Sequence, residues 1–297
     1  MKFKILICFF ILLAVTFNCS TAYSTVLFPK SPVEQSFSSV HLLLAEHFAS
    51  SGNMYETESE LLTVLRYEPT NVKALLYMGL VLESQKQNDN AAKYYKKILT
   101  VSPDQGDVYY YLGLLSEKNR KTTESLKYLN KAAELLPYNA FLQYDIGSIY
   151  AKKEDYQSAL PFFQKAVKLN PEFAEANNNL CYGLTNIGKP QEAIPYCEKA
   201  VALNPNSAPT LDSMGFMYYS LKDYQKALVF YKKALSIDDK ISELHYHLAL
   251  TLEKIGNVSA AIESYNKFLA LESGTPLRRE VKNVVKLLVK KEKKNDK

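Results

Sequence analysis

Apolar and small residues recur through most of this chain at a fixed interval of 34 positions. Seven copies begin at Ser38, Val72, Gly106, Ala140, Ala174, Ala208 and Ser242, and run 38–71, 72–105, 106–139, 140–173, 174–207, 208–241 and 242–275. Position 8 of each copy is small: Ala45, Gly79, Gly113, Gly147, Cys181, Gly215, Ala249. Position 20 is small as well: Thr57, Ala91, Ser125, Ala159, Ala193, Ala227, Ala261. Position 24 is mostly large, with Leu61, Tyr95, Leu129, Phe163, Cys197, Tyr231 and Tyr265, and position 7 is apolar throughout. Apolar spacings of three and four among positions 4, 7, 8, 11 and again among 20, 24, 27 predict two amphipathic helices per copy. Turns are expected near Gly52, Gly188 and Gly256, and near Asn88-Asp89 and Asp155 in other copies. Pro69, Pro103, Pro137, Pro171 and Pro205, at position 32, stop the second helix; the last two copies carry Asp239 and Ser273 instead. Small residues on both sides of a turn let antiparallel helices approach closely, and the large residue at 24 fills the remaining space. Such a unit buries its apolar face only against the next copy, so the expected fold is an all-α solenoid.

These columns resemble the tetratricopeptide repeat (TPR) consensus: large apolar residues at 4 and 7, Gly or Ala at 8, Ala at 20 and 27, an aromatic at 24 and Pro at 32. Glu192-Ala193-Ile194, Lys199-Ala200-Val201 and Asn204-Pro205 lie close to it. The resemblance spans 38–275 and implies a right-handed α-solenoid of about seven helical hairpins. It also implies a concave surface lined by the first helix of each copy through positions 2, 5, 6, 9, 12 and 13. The spacing agrees, since these positions form one stripe beside the core stripe. In the first half that stripe carries Leu42, Leu43, Leu76, Tyr77, Leu80, Tyr110, Tyr111, Leu114, Phe141 and Tyr144. Asp145, Asn178, Asn179 and Asp212 follow, and rings return at Tyr182, Phe216, Tyr219 and Tyr246. Tyrosine brings large contact area and a hydrogen-bonding tip with little entropy to lose, so a tyrosine-rich face suits a protein or peptide partner. The alternative is that some rings pack against the next repeat. Asn179 resembles the asparagines with which the family holds an extended peptide backbone. Position 5 holds no cation and position 2 only Lys73, which argues against the subtype that clamps a terminal carboxylate.

The ends read differently. Lys2 and Lys4 precede an apolar run from Ile5 to Phe17, and Ala22-Tyr23-Ser24 offers small residues at a cleavage site, so 1–24 reads as a secretory signal peptide. The run is shorter than the roughly 20 residues of a spanning helix. Cys19 opens a second reading, a lipidated cysteine after a bacterial lipoprotein signal, although Thr16, Phe17 and Asn18 depart from the usual lipobox. Either reading places the repeats outside the cytoplasm, in the periplasm or on an envelope membrane. Residues 25–37, with Pro29 and Pro32, read as an extended linker. Pro276 opens a capping helix with Val281, Val284, Val285 and Leu288 on one face, followed by a basic, disordered tail to residue 297.

Net charge is +5, yet 276–297 alone carries nine Lys or Arg against three Asp or Glu, which leaves the rest near neutral. That tail is either a solvated end or a contact for anionic lipid or another acidic surface. Near-neutral repeats do not supply the basic field of a nucleic-acid groove, which disfavours an RNA-binding helical-repeat protein. Cys181 and Cys197 occupy positions 8 and 24 of the fifth copy and face each other across its hairpin. They read either as a disulfide or as two small core fillers. The histidines (41, 47, 245 and 247) are assigned structural or surface roles. No spacing for metal, phosphate loop, nucleophile or paired carboxylates occurs, so neither enzyme nor cofactor is expected.

Overall fold

A computed structural model describes residues 32–295, with side chains from 37 to 292. The expected signal peptide, Cys19 and linker residues 25–31 lie outside the described residues. Each repeat is a pair of antiparallel helices, and the two helices of a pair pack chiefly on each other. The chain divides into two units between Pro137 and Tyr138. The first contains α1 (Pro32–Ser50), α2 (Met54–Tyr67), α3 (Val72–Ser84), α4 (Asn88–Val101), α5 (Gly106–Lys118) and α6 (Thr122–Leu135). The second contains α7 (Ala140–Ala151), α8 (Tyr156–Leu169), α9 (Ala174–Asn186), α10 (Pro190–Leu203), α11 (Ala208–Ser220) and α12 (Tyr224–Ile237). It continues through α13 (Ser242–Ile255), α14 (Val258–Leu271) and α15 (Pro276–Asn295). No strand occurs among the described residues, and the fold is all-α, of the helical-repeat solenoid class.

The period holds at the level of the backbone. Every second helix starts at position 17 and ends at position 30, two residues before the proline column. Position 15 adopts positive φ in all seven copies. It is glycine at Gly52, Gly188 and Gly256 but Lys86, Arg120, Glu154 and Lys222 elsewhere. Position 16 follows as the N-cap of the second helix, where Asn53, Asp155, Asp223 and Asn257 accept the backbone N–H three residues on.

Packing explains the small columns. A Cβ at Gly147 would stand 2.8 Å from Phe163 Cε1 and 3.2 Å from the Ala159 carbonyl oxygen, so positions 8, 20 and 24 meet at one crossing. In the third copy Ser125 at position 20 donates its hydroxyl to the Gly113 carbonyl at position 8, 2.8 Å away. Tyr95 and Tyr265 at position 24 reach back to donate to Glu83 and Glu253 at position 12. Leu61, Leu75, Met78, Ile98 and Leu112 fill the first unit's core; Phe163, Leu180, Tyr231, Leu244 and Phe268 fill the second's.

Two boundaries differ from expectation. α1 begins at Pro32, so residues 32–37 are helical rather than extended, as a proline at the first helical position permits. α15 continues to Asn295, so the basic segment through Lys294 is helix where a disordered tail is expected. Its buried face, with Val281 and Leu288, packs on α14. Arg278 of α15 donates to the carbonyls of Leu269 and Glu272, satisfying acceptors left open at the end of α14. No helix among the described residues is long and apolar enough to cross a membrane.

Candidate functional site

Small residues at position 8 seat the first helix of each hairpin on the second, which leaves positions 2, 5, 6 and 9 as a stripe beside the core stripe. In the first unit that stripe is only partly available. Tyr77 is 2% exposed, packs within the core cluster and donates to Glu46 Oε1 at 2.9 Å. It is a structural residue, and its assignment to the binding face is corrected. The cause lies one hairpin back, where α1 supplies the carboxylate that its hydroxyl needs. Leu76 is buried too. Tyr111 stacks on Tyr95 with centroids 5.6 Å apart and beside Tyr110 at 6.4 Å. Tyr110, Tyr111, Leu80 and Leu114 remain half-buried.

The second unit carries a run of aromatic residues. Phe141, 58% exposed, meets Phe173 in a tilted contact at 4.8 Å, and Phe173 also meets Tyr144 at 4.9 Å. Tyr182 stands between Tyr156, 5.7 Å away and edge-on, and Phe216 at 5.5 Å. Phe216 stacks on His247 at 5.9 Å, and Tyr246 packs on Phe268 at 5.5 Å. Tyr219 meets Tyr224 at 5.4 Å. Asp145 is half-buried.

Two pockets open along this run and share Tyr182. One, of about 340 Å³, is walled by Tyr144, Tyr156 and Phe163, with Ser148, Asn179 and Lys152 at its polar edge. The other, of about 310 Å³, is walled by Tyr182, Pro209, Leu244 and Ile241, with Asn178, Asp212, Ser213, Glu243 and His247 as its polar groups. Both sit at the small end of ligand cavities and suit single side chains better than a cofactor.

The electrostatics follow from burial. Removal from water pushes the Tyr156 hydroxyl up to about 12, helped by neighbouring Tyr182. Burial likewise raises Tyr144 and Tyr182, so these hydroxyls stay protonated and available as donors. His247 Nδ1 lies 2.7 Å from Asp212 Oδ1. Burial alone would lower its affinity for a proton, but the Asp212 charge and hydrogen bond, with Glu243 beyond, raise it above the ordinary value. Asn178 Oδ1 is buried without a hydrogen-bond partner, an acceptor that protein groups leave open.

The structure thus brings together Tyr144, Asn178, Asn179, Tyr182, Asp212 and Phe216, and leaves Tyr77 out. Sequence reasoning passed over Tyr156, Ser148, Glu243 and His247. The last three occupy positions 9, 2 and 6 of the same stripe. Tyr156, the first residue of a second helix, has no such signal. His247, assigned a structural or surface role, also lines a pocket, because successive repeats stack it against Asp212, 35 residues earlier. Cys181 and Cys197 are bonded, which ties α9 to α10 behind this face.

Stacked hairpins with a pocketed inner stripe define a helical-repeat protein of the binding type. Tetratricopeptide repeat family models match residues 42–106 and 79–140, 140–173, 172–240 and 242–274. The chain belongs to the tetratricopeptide repeat family. No curated protein matches it. Among solved structures it is similar to YrrB, described as a TPR protein with an unusual peptide-binding site. That likeness has 23% identity and a TM-score of 0.57 over 63% of this chain and 96% of that one. It is also similar to a tetratricopeptide repeat protein from Parabacteroides merdae, with 16% identity and a TM-score of 0.59 over 86% of this chain and 99% of that one. MamA from Desulfovibrio magneticus shares 25% identity, with a TM-score of 0.51 over 56% of this chain and 94% of that one.

Proposed function

We propose that this chain is a non-catalytic protein-interaction scaffold of the cell envelope, holding a peptide or protein segment on the inner face of its repeats. The carrying observation is the pair of adjacent pockets around Tyr182, walled by rings and hydrogen-bonding groups. The family's general role as an interaction scaffold supports it. Export is supported by the charged and apolar start of the chain and by the bonded Cys181–Cys197 pair, which suits an oxidising compartment. Its setting in this reading is assembly of an envelope or secretion complex. Lipid anchoring through Cys19 is the alternative form of the same reading, with the basic helix α15 as a further membrane contact.

A photocrosslinking residue at Asn179, compared with one at the exposed Lys165 of α8, tests the inner face. Capture of a defined partner from position 179 and not from 165 is expected; equal capture from both would move the site elsewhere. Cys19→Ala with a lipid-labelling readout separates the anchored from the cleaved form, and protease accessibility in intact cells tests export itself.

A further inference from the structure

Resting on the groove reading above, we propose that the pocket beside Tyr182 selects an arginine side chain of the bound segment. Two carboxylates, Asp212 and Glu243, line it together with Asn178, Ser213 and His247, and neither lysine nor arginine does. Asp212 gives one carboxylate oxygen to His247, which leaves the other for an incoming donor. Asn178 lines the pocket, and its Oδ1 is buried with nothing donating to it, so this residue carries an unmet acceptor. Such an acceptor is disfavoured unless a ligand completes it. The Tyr182 ring forms an adjoining wall, and a planar guanidinium both stacks on a ring and forks two hydrogen bonds towards a carboxylate. A lysine ammonium would meet the charge but not the plane. The second pocket shares Tyr182, is walled by Tyr144, Tyr156 and Phe163, and carries its one cation, Lys152, at the edge. It takes an uncharged or aromatic residue next to the arginine. The inner face of the second unit therefore reads a short extended segment with one basic and one apolar side chain.

The test uses a bead library of random octapeptides, acetylated and amidated so that terminal charges play no part, selected on the full chain. Selected sequences are expected to carry arginine at one register, with an apolar or aromatic residue close by. Glu243→Gln and Asp212→Asn should each weaken a selected peptide about tenfold, the difference between a charge-assisted and a neutral hydrogen bond. Glu243 is exposed, so its variant reads the charge even where Asp212→Asn disturbs the fold, which circular dichroism checks. Changing the peptide's arginine to glutamine should match that loss, and lysine should fall between. Peptides without a basic residue, or ones indifferent to both carboxylate variants, would overturn the arginine reading. If Tyr182→Ala still abolished their binding, the groove reading would stand alone. No selected sequence, or binding unaffected by Tyr182→Ala, would remove both.

Discussion

Gly147→Ala measures directly how closely these hairpins are packed. In an exposed helix the change would stabilise by about 1 kcal/mol, through helix propensity. Here the new methyl would sit 2.8 and 2.9 Å from Phe163 Cε1 and Cδ1 and 3.2 Å from the Ala159 carbonyl. Carbon atoms prefer roughly 3.5–4.0 Å, so ring and helix must yield by more than half an ångström. Overpacking of this kind costs about 1–3 kcal/mol, which outweighs the propensity gain and predicts net destabilisation of about 1 kcal/mol. Phe163→Leu alone leaves space and costs about 1–2 kcal/mol. The two together recreate the first copy's pairing of Ala45 with Leu61, both buried there. The methyl then fills what the ring vacated, and the cycle should show a favourable coupling of about 2 kcal/mol. Urea unfolding followed by circular dichroism reads the global effect. Because repeats can unfold piecemeal, hydrogen exchange of the α7–α8 hairpin reads the local one. A stabilising Gly147→Ala, or a cycle additive within about 0.5 kcal/mol, would refute the close crossing of positions 8 and 24.

Glycine at position 15 gives an opposite test. Lys222 holds φ at 65°, so Lys222→Gly should raise stability by about 0.5–1 kcal/mol, read as a higher melting temperature. Loss of the Cys181–Cys197 link, which joins residues 16 apart, should lower stability by about 2–3 kcal/mol. The check is melting with and without reductant, and the doubly alanine-substituted chain should ignore reductant. Proton NMR of His247 should show a midpoint above the ordinary 6.5 that falls below it in Asp212→Asn, where burial is opposed by Glu243 alone. Because the folded value is raised, this group's stabilisation is complete below about pH 6.5 and fades as pH rises through the folded midpoint, and Asp212→Asn should flatten that trend.

Most of the fold is legible in the sequence because a repeat repeats its physics. Small residues at 8 and 20, large ones at 24 and a proline at 32 each state a local packing requirement, and seven copies state it together. The left-handed turn at position 15 was only half visible, since Lys86, Arg120, Glu154 and Lys222 carry no glycine signal there. Helix lengths at the ends escaped the repeat, because neither Pro32 nor the lysines of α15 belong to a periodic column.

The candidate site divides along the same line. The family resemblance named the stripe, and helical geometry agrees, since it places positions 2, 5, 6 and 9 together whatever their identity. Only the tertiary structure decided which of those residues remain available. Tyr77 found Glu46 on the preceding hairpin and was withdrawn into the core, whereas Asp212 met His247 on the following one and became a pocket wall. Contacts between neighbouring copies depend on the side chains of both, and a column read one position at a time does not contain them.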